Sequence, residues 1–116
     1  MSPELSFTVQ REDALAVVQV SGAMDYDTSP ALEQALAGLL QAGARHLVLD
    51  MAAVTFCDSS GINALIRTLA HAGREQGSLA LVATTPRVQG VLELTGVDAA
   101  ITTYPTITLA RESLPT

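Results

Sequence analysis

Two kinds of apolar spacing take turns along this chain, and proline and glycine mark the places where one gives way to the other. Leu5, Phe7 and Val9 alternate with polar residues, the two-residue period of a half-buried strand. Arg11-Glu12-Asp13 reads as a polar turn. Residues 15–21 are nearly continuously apolar and rich in valine, which predicts a more deeply buried strand, paired with the first as a hairpin and ended by Gly22. Ser29-Pro30 then opens a helix, with a hydroxyl to cap it and a proline at the first helical position, where a missing N–H costs nothing. Leu32, Leu36, Leu39 and Leu40 share one face of that helix, and Gly43 stops it.

The same grammar repeats. Residues 46–51 form a short apolar strand. After Asp58, the residues Ile62, Leu65, Ile66 and Leu69 recur at helical spacing as a core stripe, ended by Gly73 or Gly77. Residues 79–83 make another strand, Thr85-Pro86 repeats the cap-and-proline device, and Val88, Val91 and Leu92 form the next buried stripe before Gly96. A short strand over 101–103 and a helix over 106–113 complete the order. A hairpin followed by βα units predicts an α/β fold: a mixed sheet whose parallel strands are covered by helices through right-handed crossovers. The 116 residues suffice for one domain with its core over about 5–112.

Composition excludes several function classes. The net charge is −6, the six cationic residues are all arginine, and the aromatics number only two Phe and two Tyr. Such a surface is wrong for gripping phosphate backbones or stacking bases, so no nucleic-acid partner is expected. It also lacks a polybasic patch for an anionic membrane. No apolar run approaches the length of a membrane span and no leader pattern opens the chain, so no membrane insertion and a cytoplasmic location are expected. The single cysteine, Cys57, makes no disulfide framework or thiolate metal site, and is expected to be a buried, inert thiol. His46 and His71 have no ligand spacing between them; the first reads as a rim residue, the second as solvent-facing. No phosphate loop and no dinucleotide fingerprint is present, and a serine hydrolase elbow is missing, so no metal, no cofactor and no catalytic residue is expected.

Residues 54–63, VTFCDSSGIN, carry the densest cluster of small polar side chains, between a strand and a helix. In open α/β sheets such junctions lie at the carboxyl ends of strands, where functional groups collect. Helix capping alone explains one of them: Asp58 or a serine at the N-cap contributes about 1 kcal/mol. It does not explain Asp58, Ser59 and Ser60 together, nor Gly61, which costs about 1 kcal/mol of helix propensity and makes sense where another backbone comes close. Asp50, at the end of the preceding strand, either adjoins this turn or is a solvated strand terminus.

With its flanks, this turn resembles the STAS domain of anti-sigma-factor antagonists. Ser21-Gly22-Ala23-Met24-Asp25 followed by Thr28 resembles the family's strand-end segment. Leu47-Val48-Leu49-Asp50 resembles its central strand, Phe56-Cys57-Asp58-Ser59-Ser60-Gly61 with Leu65 its signature, and Pro86, Val88, Leu92 and Thr95-Gly96 its third-helix segment. The resemblance implies that Ser59 is phosphorylated by an ATP-dependent serine kinase that is also the anti-sigma factor. Unphosphorylated antagonist would bind that kinase and release a sigma factor, phosphorylation would abolish binding, and a phosphatase acting on phospho-Ser59 would reset the cycle. Ser59 ranks ahead of Ser60 through the resemblance only; the physics of the turn does not separate them. Asp58 is expected to cap the helix and orient Ser59, Ser60 to take a second backbone hydrogen bond, and Gly61 to permit close approach. Ile62, Asn63 and Arg67 are docking candidates, with Asp25 and Thr28 forming the facing loop and Asp27 adding negative charge. The alternative is a non-switching STAS subunit of a lipid transporter or signalling complex.

Overall fold

The computed structural model describes residues 4–114. Five strands and four helices follow in the order β1 (Ser6–Glu12), β2 (Leu15–Met24), α1 (Ser29–Gln41), β3 (His46–Cys57), α2 (Ser59–Arg74), β4 (Ser78–Val82), α3 (Pro86–Thr95), β5 (Thr102–Tyr104) and α4 (Ile107–Glu112), with a 3-10 turn over Val97–Ala99 before β5. They build one sheet in the spatial order β1-β2-β3-β4-β5. The β1–β2 pair is antiparallel and the remaining neighbours are parallel. This is the mixed α/β sheet that the hairpin-then-βα pattern predicts.

The strand interiors divide between two faces. Ala16, Val18, Val20, Leu47, Leu49, Leu79 and Leu81 pack with Leu32, Leu36, Leu40, Ile62, Leu65, Val88 and Leu92 of α1, α2 and α3 in the main core. Each such Leu or Ile contributes roughly 1.5–3 kcal/mol by leaving water. On the other face Val17, Val48 and Val82 meet only Ala110 of α4 and a few neighbours. Gln19 and Ser21, further along β2, stay exposed there. Helices therefore cover one face except at its rim on β1, where Val9 is exposed, and the other in part.

Several boundaries differ from the sequence reading, each for a local reason. Arg11 and Glu12 belong to β1, and the hairpin turns at Asp13, which takes a left-handed φ of 54°. Gly22 does not end β2. Its φ of 108° and a register shift beside it form a bulge, and the strand continues to Met24; a Cβ there would lie 2.5 Å from the Glu4 carbonyl oxygen. β3 continues past Met51 to Cys57, because β2 extends alongside it. Asp50 is therefore inside a strand, where its Oδ1 accepts a 3.1 Å hydrogen bond from the Ala52 N–H, and not at the strand end. Ser29 is not the cap of α1: Thr28 holds that position, and Ser29 is buried within the first turn. Ile66 lies outside the core stripe, 45% exposed. His71 is half-buried, not solvent-facing. The Thr85 cap behaves as expected: its Oγ1 accepts from the Val88 N–H at 3.3 Å, and α3 ends at Gly96 with φ 78°.

Candidate functional site

The pairing of Met24 with Cys57 at the carboxyl ends of β2 and β3 fixes where the polar turn sits. The Asp58 N–H continues that pairing by donating to the Met24 carbonyl at 3.1 Å. The loop after β2 and the turn after β3 are thus held side by side at the carboxyl end of the sheet, the place where strand-end groups converge in α/β folds.

Asp58 caps α2. Its Oδ1 accepts from the Ser60 N–H at 2.8 Å and from the Gly61 N–H at 3.2 Å, while its carbonyl accepts from the Ile62 N–H at 3.0 Å. One carboxylate therefore occupies donors that a helix N-terminus would otherwise offer to an anion. Ser59 stands at the first helical position and is exposed; its hydroxyl makes no hydrogen bond among the described residues. Ser60 is half-buried, and its backbone N–H, not its hydroxyl, joins the cap.

Gly61 is needed for a close approach, and the approaching backbone belongs to this chain. A Cβ there would stand 2.7 Å from Cys57 Sγ, 2.8 Å from the Met24 carbonyl oxygen and 3.0 Å from Met24 Cβ. The start of α2 consequently lies flat against the ends of β2 and β3. Cys57 is sealed beneath it at 2% exposure, and burial, with the Asp58 carboxylate second, pushes its thiol up to about 11. It is the buried, inert thiol expected.

The facing loop is built on Asp25 and Thr28. Asp25 Oδ1 accepts from the N–H groups of Asp27 and Thr28, both at 3.0 Å. Thr28 Oγ1 accepts from the Asp25 N–H at 2.9 Å and donates to the Ala23 carbonyl at 2.7 Å. Both residues are half-buried and are spent on shaping the loop, while Asp27 and Tyr26 are exposed. Ile62 is excluded from any contact surface, being 4% exposed within the core. Asn63 and Arg67 are exposed on the same helix.

Sequence reasoning missed three participants. Tyr26 is 78% exposed and joins Ser29, Pro30, Ser60, Asn63 and Arg67 around an open groove of about 290 Å³ between the starts of α1 and α2. Its signal was available: an aromatic between two aspartates in a chain with two tyrosines. Glu33 holds Arg67 through a two-nitrogen fork, Nε at 3.0 and 3.1 Å and Nη2 at 2.9 Å, tying α1 to α2 beside the groove. Ser29 Oγ is buried without a partner at the groove's wall. Neither could be found by spacing, because each depends on how the two helices pack.

The STAS domain family model matches residues 6–110. The crystal structure of an anti-sigma factor antagonist from Mycobacterium paratuberculosis is similar at a TM-score of 0.85 and 35% identity, over 95% of this chain and 93% of that one. The anti-sigma-B factor antagonist of Staphylococcus aureus (strain NCTC 8325 / PS 47) is 27% identical over 93 residues, covering 80% of this chain and 86% of its own. The fold also matches the anti-sigma factor antagonist SpoIIAA in its unphosphorylated form, at a TM-score of 0.81 and 16% identity over 92% of this chain and 94% of that one.

Proposed function

The chain belongs to the STAS domain family, and from that premise we propose that it is an anti-sigma factor antagonist whose binding is switched off by phosphorylation of Ser59. The observation that carries this reading is an exposed hydroxyl at the first position of α2, directly after a cap whose carboxylate already holds the Ser60 and Gly61 N–H groups. A phosphate on Ser59 would add a charge of about −1.5 to −2 and three acceptor oxygens. With those two donors taken by Asp58, the new charge is left at the surface. It faces Asp58 and adjoins the loop that carries Asp25 and Asp27. The rigid frame beneath it has no reason to move, so the charge acts on whatever docks there.

In this reading the chain is a substrate and a ligand, and the kinase supplies the catalysis. Ser59 Oγ attacks the γ-phosphorus of ATP, the bond from that phosphorus to the bridging oxygen breaks, ADP leaves, and the hydroxyl proton passes to a base of the kinase. Unphosphorylated protein binds the kinase, which is also the anti-sigma factor, and frees the sigma factor; a phosphatase reverses the modification. Asn63, Arg67 and Tyr26 supply the exposed contact surface beside Ser59, with Asp25, Thr28, Asp58, Ser60 and Gly61 holding it in shape.

Mass spectrometry after incubation with a serine-kinase anti-sigma factor and ATP tests the site. One phosphate on Ser59 is expected; phosphate on Ser60 alone, or on neither, overturns the reading. Ser59→Ala is expected to bind the kinase without regard to ATP. Ser59→Asp is expected to lose about two orders of magnitude in affinity, roughly 3 kcal/mol, while melting as the unmodified protein does. Equal affinity for Ser59→Asp would refute the electrostatic mechanism.

A further inference from the structure

β1 is an edge strand of seven residues, hydrogen-bonded to β2 on one side, and its register against β2 runs without a break from Ser6 to Glu12. It contains no proline and no bulge, and its two charges, Arg11 and Glu12, stand together at one end of the strand, where Glu12 pairs with Arg111 of α4. Its side chains fall on two faces. Phe7, Val9 and Arg11 lie opposite Val20, Val18 and Ala16 of the main core, so they share the helix-covered face; Ser6, Thr8, Gln10 and Glu12 lie on the other. Phe7 packs partly against the core, whereas Val9 is left 40% exposed at its rim.

We propose that this edge is a self-association surface, at which β1 of two copies pairs antiparallel about a two-fold axis at Val9. The sequence SFTVQRE is complementary to its own reverse about that centre. Val9 meets Val9 of the second copy, a β-branched pair. Phe7 meets Arg11, a guanidinium against an aromatic ring. Thr8 meets Gln10, and Ser6 meets Glu12, so no like charges stand opposite each other. This is also the register that pairs all seven residues of the strand; moving the axis to Thr8 or Gln10 leaves residues unpaired at one end. A two-fold axis normal to the sheet keeps α1, α2 and α3 of both copies on the same side, so the exposed rim at Val9 is covered by an equivalent rim and the sheet becomes continuous across the interface. Both chains carry a net charge of −6, which opposes association at long range, and added salt should strengthen the dimer by screening that repulsion. None of these residues belongs to the Ser59 turn, so the interface and the proposed switch stand or fall separately.

Sedimentation equilibrium of the full chain over rising concentration tests the proposal. The mean mass is expected to climb from 12.1 kDa toward twice that value, sooner at high salt than at low. Val9→Lys places two cations at the axis and is expected to weaken the dimer by roughly tenfold or more. In oxidising buffer, Val9→Cys is expected to give a disulfide-linked dimer, because that position alone faces itself across the axis, while Thr8→Cys, which faces Gln10, is expected to give little. A mass that stays at the monomer value at every concentration and salt overturns the proposal. So does a Val9→Lys dimer as tight as the original, or cross-linking of Thr8→Cys as fast as Val9→Cys. If Val9→Lys fails to fold, the two cysteine variants decide the register.

Discussion

Replacing Gly61 by alanine should destabilise the protein even though alanine is the better helix former. The added Cβ would meet Cys57 Sγ at 2.7 Å, the Met24 carbonyl oxygen at 2.8 Å and Met24 Cβ at 3.0 Å, whereas unstrained carbon contacts settle near 3.5–4.0 Å, roughly. None of these neighbours can step aside cheaply. Met24 and Cys57 are 0% and 2% exposed, and the Met24 carbonyl is held by the Asp58 N–H at 3.1 Å. The start of α2 must back away by several tenths of an ångström, and overpacking of this kind costs about 1–3 kcal/mol. Helix propensity returns at most about 1 kcal/mol. With three contacts at or below 3.0 Å the upper half of that range applies, so the net loss is about 1–2 kcal/mol, a melting temperature lower by roughly 4–8 °C in a chain of this size. Gly38→Ala is the matched control, because nothing lies within 4 Å of a Cβ there, and it should be stabilising by about 0.5–1 kcal/mol. Scanning calorimetry with urea titration reads both. Adding Cys57→Ala to Gly61→Ala should recover part of the loss, since one of the close contacts disappears and the effects of touching residues do not add. A Gly61→Ala protein that melts with or above the original would show that α2 can shift freely, and the reasoning about a rigidly seated turn would fail.

Other outcomes follow from the same geometry. Asp58→Ala removes the acceptor for the Ser60 and Gly61 N–H groups and should cost about 1 kcal/mol in urea titration, with slower phosphorylation of Ser59 as its turn loosens. Thr85→Ala removes the α3 cap and should cost a similar amount, about 1 kcal/mol, measured the same way. The Cys57 thiol, pushed up to about 11, keeps its proton in the folded state at pH values where the unfolded chain has lost it. The associated stability is whole below the ordinary thiol pKa of about 8.5 and is lost as pH rises toward 11. The original protein should therefore lose stability between those values more steeply than Cys57→Ala, and parallel curves would show that the thiol is not the cause.

What could be read from the residues was whatever is encoded locally. Apolar periods placed every helix and strand, Pro30 and Pro86 marked two helix starts, and Gly43 and Gly96 two helix ends, because backbone preference and burial act within a few residues of each other. The turn at 58–61 stood out for the same reason, as a cluster of small polar groups between a strand and a helix, but Ser59 was separated from Ser60 only by the family resemblance. The missed features all needed a second element to be present. β2 and β3 run past Gly22 and Met51 because each offers the other a ladder of hydrogen bonds, which no single strand announces. Ser29 is buried just past the loop that Asp25 and Thr28 shape, Ile66 turns outward although its spacing put it on the core stripe, and Arg67 finds Glu33 across 34 residues of sequence. Asp58 was legible as a cap from its type and place. That its carboxylate holds two N–H groups of the first turn, while the Ser59 side chain stays exposed, was decided only when the chain was folded, since direction in space is a property of packing and not of order along the chain.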